Sequence, residues 1–129
     1  MNVIDGLNFD GNGLIPAIIQ DASSNRVLTL CYMNREALEK TLQEAKVYVF
    51  RRSKGRVMVK GETSGCLQHV REVFVDCAEN SLLFRVDQER AACHEGYFSC
   101  YYRRLDGKGG TVVEEERVFD PDQVYKGKG

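Results

Sequence analysis

One stretch of helical periodicity, set among many short β-type runs, is the feature that most narrows the fold. Asn34 can cap a helix start with its side-chain oxygen, and Leu38, Thr41, Leu42 and Ala45 then recur at the spacing of one helix face. Glu36 and Lys40 add an i,i+4 ion pair. Around this helix lie segments 14–21, 27–33, 47–51, 57–60, 68–77, 81–87, 99–105 and 111–119, each rich in β-branched or aromatic residues and bounded by Gly or polar turns. The first two flank Ala22-Ser23-Ser24-Asn25 and form a hairpin. A lone helix cannot cover both faces of a parallel sheet. The expected fold is therefore α+β, a mostly antiparallel β domain with one main helix. It spans residues 1–129 as one domain, with a polar tail from about 120 that is expected to fray.

A chain of 129 residues with 43% hydrophobic and 29% charged content buries enough surface to fold without disulfides or metal, so a metal site would need a functional reason. The net charge of −1 lacks the basic excess of a general nucleic-acid binder. The N-terminus MNVIDGLNFD has neither a basic lead nor an apolar run, and no stretch reaches membrane-spanning length. Five cysteines, an odd number without dense spacing, point to free thiols in a reducing compartment. Cytoplasm is the expected location.

The chemistry starts from Cys77, Cys93 and Cys100. Their separations are not those of a zinc finger, and a cysteine at a strand end is commonly just a small buried hydrophobe. The last two, however, bracket HEGYFS, which puts His94 directly after a thiol and a Gly where the chain can bend tightly. Three thiolates with one open position is the coordination of a catalytic zinc; a structural one closes all four positions with protein ligands.

GLIPAIIQD (13–21), YMNREAL (32–38), KGETSG (60–65), Asp76-Cys77 and ACHEGYFSCYYR (92–103) occur in this order over roughly residues 7–104. Together they resemble the phosphoribosyl-AMP cyclohydrolase family of histidine biosynthesis, whose members open an adenine ring. The resemblance implies a zinc-dependent hydrolase, an interlocked homodimer, and two zinc sites whose ligands Cys77, Cys93 and Cys100 come from both subunits. Its substrate is a small phosphorylated nucleotide, with no nucleic acid or membrane involved. In that substrate a ribosyl group on adenine N1 makes the ring an amidine with an electrophilic C6. Zinc can bring the pKa of a bound water to about 7, and three thiolates make it a weaker acid than three imidazoles would, so a nearby base is needed. His94 is the candidate, taking a proton from water and returning it to N1 as the C6–N1 bond breaks. The alternative role for His94 is a hydrogen bond to a loop carbonyl.

The same resemblance gives the KGETSG loop a substrate. Lys60 suits a phosphate, Thr63 and Ser64 can donate to phosphate or ribose oxygens, and Glu62 suits a ribose hydroxyl or a metal-bound water. Gly61 and Gly65 permit close backbone approach. Arg52 and Ser53, in the basic run RRSKGR (51–56), suit a substrate with two phosphates. Without the resemblance, an exposed hairpin turn and a solvated strand are the simpler readings of these segments.

Three positions depart from the family pattern. Cys66 stands where relatives have His, and Met58 where they have Trp. An acidic cluster proposed to bind magnesium is reduced to Asp76, with Ala78 and Asn80 in the other two positions, a poor ligand set for a hard cation. Two alternatives follow: a divergent paralogue acting on a related purine-like ring, or a non-catalytic zinc-stapled dimer. Cys66 as a nucleophile activated by His69 is a third, although on one strand the two would face opposite ways. A zinc deaminase is disfavoured, because its His-x-Glu and Pro-Cys-x-x-Cys signature is absent.

Overall fold

The four-stranded sheet at the centre follows from two apolar runs of β-branched residues that pair on both edges. In the computed structural model, which describes residues 3–62 and 64–125, β1 (Ile15–Asp21) pairs antiparallel with β2 (Val27–Met33) and parallel with β6 (Leu82–Gln88). β5 (Gln68–Val75) completes the sheet antiparallel to β6, giving the order β2-β1-β6-β5. Two antiparallel ribbons stand apart from it: β3 (Tyr48–Arg51) with β4 (Arg56–Val59), and β7 (Arg103–Leu105) with β8 (Thr111–Val113). The fold is α+β with mostly antiparallel strands and one main helix. β1 with β6 is the parallel exception: after the helix and the β3–β4 ribbon the chain re-enters the sheet at β5, and β6 turns back antiparallel to β5 to lie beside β1.

The main helix, α1 (Arg35–Glu44), starts where Asn34 accepts from the Ala37 amide at 2.8 Å and stops where Ala45 takes a left-handed φ of 58°. It buries Ala37, Leu38 and Thr41. Thr41 is fully enclosed and receives the Tyr48 amide at 2.9 Å, which ties the helix to β3. Ile15, Ala17 and Ile19 alternate on β1, and Leu82, Phe84 and Val86 on β6, to put one apolar face against α1 and Val47 and Val49. The opposite face is open: Leu30, Ile18, Leu83 and Phe74 lie side by side in register across all four strands, Leu83 partly buried and the other three exposed.

Several strands end earlier than their sequence patterns suggest. β5 stops at Val75, because the Asp76 carboxylate accepts from the Asn80 and Ser81 amides and Glu79 adopts φ 56°, closing a turn that leaves Cys77 exposed. Segment 99–105 is a strand only from Arg103, since Ser99 is tied to Val27 and the Cys100 amide to the Leu28 carbonyl. Segment 111–119 pairs only to Val113; beyond it Glu115 accepts from Arg26 and the Ser99 amide, and Val118 donates to Gly96. Part of the polar tail is ordered too. Asp120 receives the Asp122 amide at the start of a short helix, α2 (Pro121–Tyr125).

Candidate active site

A cleft of about 740 Å³ lies between β2, the β3–β4 ribbon, the loop after β4 and the segment before β7. The sequence-predicted residues Arg52, Ser53, Lys60, Glu62, Ser64, His94 and Cys100 all line it, although they are spread over more than a third of the chain. Gly65 closes the loop instead, its amide donating to the Gly61 carbonyl at 2.7 Å. Thr63 lies outside the described residues.

Loop 60–66 is shaped by two glycines with left-handed φ, 89° at Gly61 and 77° at Gly65. Gly61 is the tighter of the two: a Cβ there would sit 2.4 Å from the Cys66 carbonyl oxygen. Lys60 reaches from this loop to the Ala92 carbonyl at 3.4 Å, holding the loop against the segment that carries the two cysteines. That segment is itself a tight turn, with the Ala92 and Cys93 amides donating to the Phe98 and Tyr97 carbonyls at 2.9 and 3.1 Å. Gly96 permits the bend at φ 95°.

The turn brings the Cys93 and Cys100 side chains close enough for each thiol to feel the other. Burial, above all, holds the Cys93 thiol above the ordinary cysteine range; the Cys100 sulfur adds to this, while the Glu95 amide at 3.4 Å opposes it. His94 between them is exposed at the cleft rim, its ring nitrogen 3.3 Å from a Glu95 carboxylate oxygen.

Cys77 is elsewhere. Cys31, Ala17, Leu82 and Val75 form one row across the sheet, so the β5 edge that leads to Cys77 lies three strand spacings, about 14 Å, from the β2 edge where Cys100 is tied. A single zinc holds its sulfurs within about 4 Å of one another. Among the described residues no three His, Cys, Asp or Glu side chains of one chain are grouped to hold a metal. Cys93 and Cys100 offer zinc two thiols from one turn, and among the described residues no third ligand of the same chain joins them. Asp76 does not fit magnesium, because its carboxylate is the only one of its cluster and closes its own turn.

The cleft also holds Cys31 and Tyr32, which the sequence did not single out as site residues, together with Met58 and Cys66, two of the positions that depart from the family pattern, and Arg51 and Lys54 of the basic run. Burial pushes the Cys31 thiol up to about 12, against the opposing charge of Lys60. Cys66 is buried with its sulfur toward the Ser64 carbonyl, whereas His69 pairs with Glu89 at 3.0 Å, and the two do not form a nucleophile-base couple. The visible signal for Cys31 and Tyr32 was their place on β2, which becomes a sheet edge.

The family model for phosphoribosyl-AMP cyclohydrolase matches residues 29–102, the span that builds most of this cleft. Similar chains carry the same designation. A phosphoribosyl-AMP cyclohydrolase of Pelotomaculum thermopropionicum is 50% identical over 122 residues, 95% of either chain. One of Methanospirillum hungatei is 48% identical over 93% of this chain and 88% of its own, and one of Salinibacter ruber 46% identical over 96% and 97%. With its motifs gathered on one cleft and relatives matching it nearly end to end, the chain belongs to the phosphoribosyl-AMP cyclohydrolase family and is an enzyme of the cyclohydrolase type.

Proposed function

We propose that this chain hydrolyses the N1–C6 bond of the adenine ring of phosphoribosyl-AMP, a zinc-dependent step of histidine biosynthesis, in the cleft between β2 and the β3–β4 ribbon. The observation that carries the reading is convergence: cationic Arg52 and Lys60, the Glu62 carboxylate, and His94 and Cys100 come from three separate segments and line one cleft, with Cys93 on the same turn as His94. Arg52 and Lys60 bind the phosphates, and Ser64 and Glu62 take ribose hydroxyls. His94 accepts a proton from the attacking water and delivers one to N1, so that oxygen ends on C6 and hydrogen on N1 as the ring opens.

The zinc ligands in this reading are Cys93 and Cys100 of one copy and Cys77 of a second. Zinc would supply the Lewis acidity that makes water a nucleophile at neutral pH. Two features support a homodimer: Cys77 lies at the far sheet edge, and the apolar row of Leu30, Ile18, Leu83 and Phe74 is open on the face a second copy would cover.

An ultraviolet assay of ring opening with purified zinc-loaded protein tests the whole reading. Cys93→Ala should reduce turnover to background, and His94→Ala should lower kcat by about 10²- to 10⁴-fold. Wild-type protein that is stabilised by the substrate without turning it over, under conditions where a family relative is active, would exclude the hydrolase.

A further inference from the structure

The tip of the β3–β4 ribbon carries an arginine, Arg52, that is held differently from five others in the molecule. Arg26, Arg35, Arg71, Arg85 and Arg104 each bond a carboxylate at 3.0 Å or less. Among the described residues no carboxylate pairs with Arg52. Its guanidinium carbon lies 4.7 Å from the centre of the Tyr32 ring instead, and both residues line the cleft. A guanidinium stacked on an aromatic face keeps its N–H donors in its own plane, directed past the ring edge, where a phosphate can be gripped by two of them.

The two residues sit on differently anchored elements. Tyr32 belongs to β2 and pairs with Pro16 in the central sheet. Arg52 stands in a turn that is held mainly within itself, the Lys54 and Gly55 amides both donating to the Arg51 carbonyl at 3.0 and 2.7 Å. An unstacked arginine there would sample many rotamers, and ordering it on substrate binding would cost conformational entropy.

We propose that Tyr32 is a positioning residue, which holds Arg52 preset as a bidentate donor to a phosphomonoester of the substrate. The inference rests on the substrate class proposed above. Arg51 and Lys54 also line the cleft and add positive potential, but neither has an aromatic face beneath it among the described contacts. The stack thus separates the residue that fixes phosphate geometry from those that only attract it.

The test compares Tyr32→Phe, Tyr32→Leu, Arg52→Ala, Arg52→Lys and the double variant Tyr32→Leu/Arg52→Ala, reading calorimetric affinity for AMP as a phosphomonoester probe and KM and kcat for phosphoribosyl-AMP. Tyr32→Phe keeps the ring and should stay within about twofold of wild type, whereas Tyr32→Leu should weaken AMP binding and raise KM about fivefold with kcat little changed. In the Arg52→Ala background Tyr32→Leu should add nothing, because its effect runs through the guanidinium. Arg52→Lys, at an exposed tip that tolerates substitution, keeps the charge without the planar fork and should behave like Tyr32→Leu even if the latter folds poorly. The proposal is overturned if Tyr32→Leu leaves affinity unchanged, if its effect adds in full to that of Arg52→Ala, or if wild type does not bind AMP. Absent turnover with the AMP pattern intact would instead remove the hydrolase reading and leave the clamp standing.

Discussion

Gly61 shows how much of this site depends on a single missing side chain. Its φ of 89° lies where an L-residue is strained by about 1 kcal/mol, and an added Cβ would overlap the Cys66 carbonyl group, which as backbone cannot rotate away. Gly65 is a matched control, with a similar φ and open space around the added atom. Gly61→Ala should therefore displace loop 60–66 and raise KM for phosphoribosyl-AMP by more than about tenfold, while Gly65→Ala costs only backbone strain of about 1 kcal/mol. Steady-state kinetics beside thermal melting separates the two; equal KM values would show that the loop shape does not matter. Lys60, Glu62 and Ser64, which line the cleft, were legible only through the resemblance, because their residue types by themselves suit an exposed turn. Tyr32 and Cys31 were legible only as strand residues, since whether a strand faces a cleft or a neighbour depends on the pairing of the whole sheet.

Strand ends were the least legible elements, and the C-terminal segment shows the physical reason. Val113 onward continues a β-type pattern, but the chain leaves β8 to strap the turn that carries Cys93 and His94. Val118 donates to the Gly96 carbonyl at 2.6 Å, and Phe119 buries itself with Cys66 and Ala91 under the Arg90 guanidinium at 4.8 Å. Tertiary contacts with residues more than twenty positions away override the local propensity. The helix was legible because its Asn34 cap and the buried Leu38 and Thr41 lie within its own sequence, although Leu42 of the expected face is exposed and Ala45 ends the helix; the central hairpin was legible because its turn is local. Truncating the strap tests its weight: Phe119→Ala should lower stability by about 3 kcal/mol, roughly 10 °C in Tm, and speed hydrogen exchange at the Ala92 and Cys93 amides. Leu105→Ala, at a side chain left in solvent, should change stability by less than about 0.5 kcal/mol. A Phe119→Ala variant that melts with wild type and keeps its amides protected would show that the turn holds itself.

At the scale of the whole molecule, the separation between Cys77 and the Cys93–Cys100 pair turns the proposed chemistry into a question of assembly. The cysteines are legible as a set, but nothing local in a sequence says that a set is divided between two copies, and only the sheet order puts its members at opposite edges. If each site draws Cys77 from one copy and Cys93 and Cys100 from another, then Cys77→Ala and Cys93→Ala proteins are both inactive alone yet complementary when mixed. A mixed dimer has one site lacking both sulfurs and one site that is intact. After unfolding and refolding equal amounts together, random pairing makes half of the dimers mixed, so activity should recover to about a quarter of the wild-type value. Ligands gathered within one chain would give no recovery at any mixing ratio. Mixing Cys93→Ala with Cys100→Ala supplies the contrast, because those two sulfurs belong to one turn and no pairing of the two variants restores a complete set.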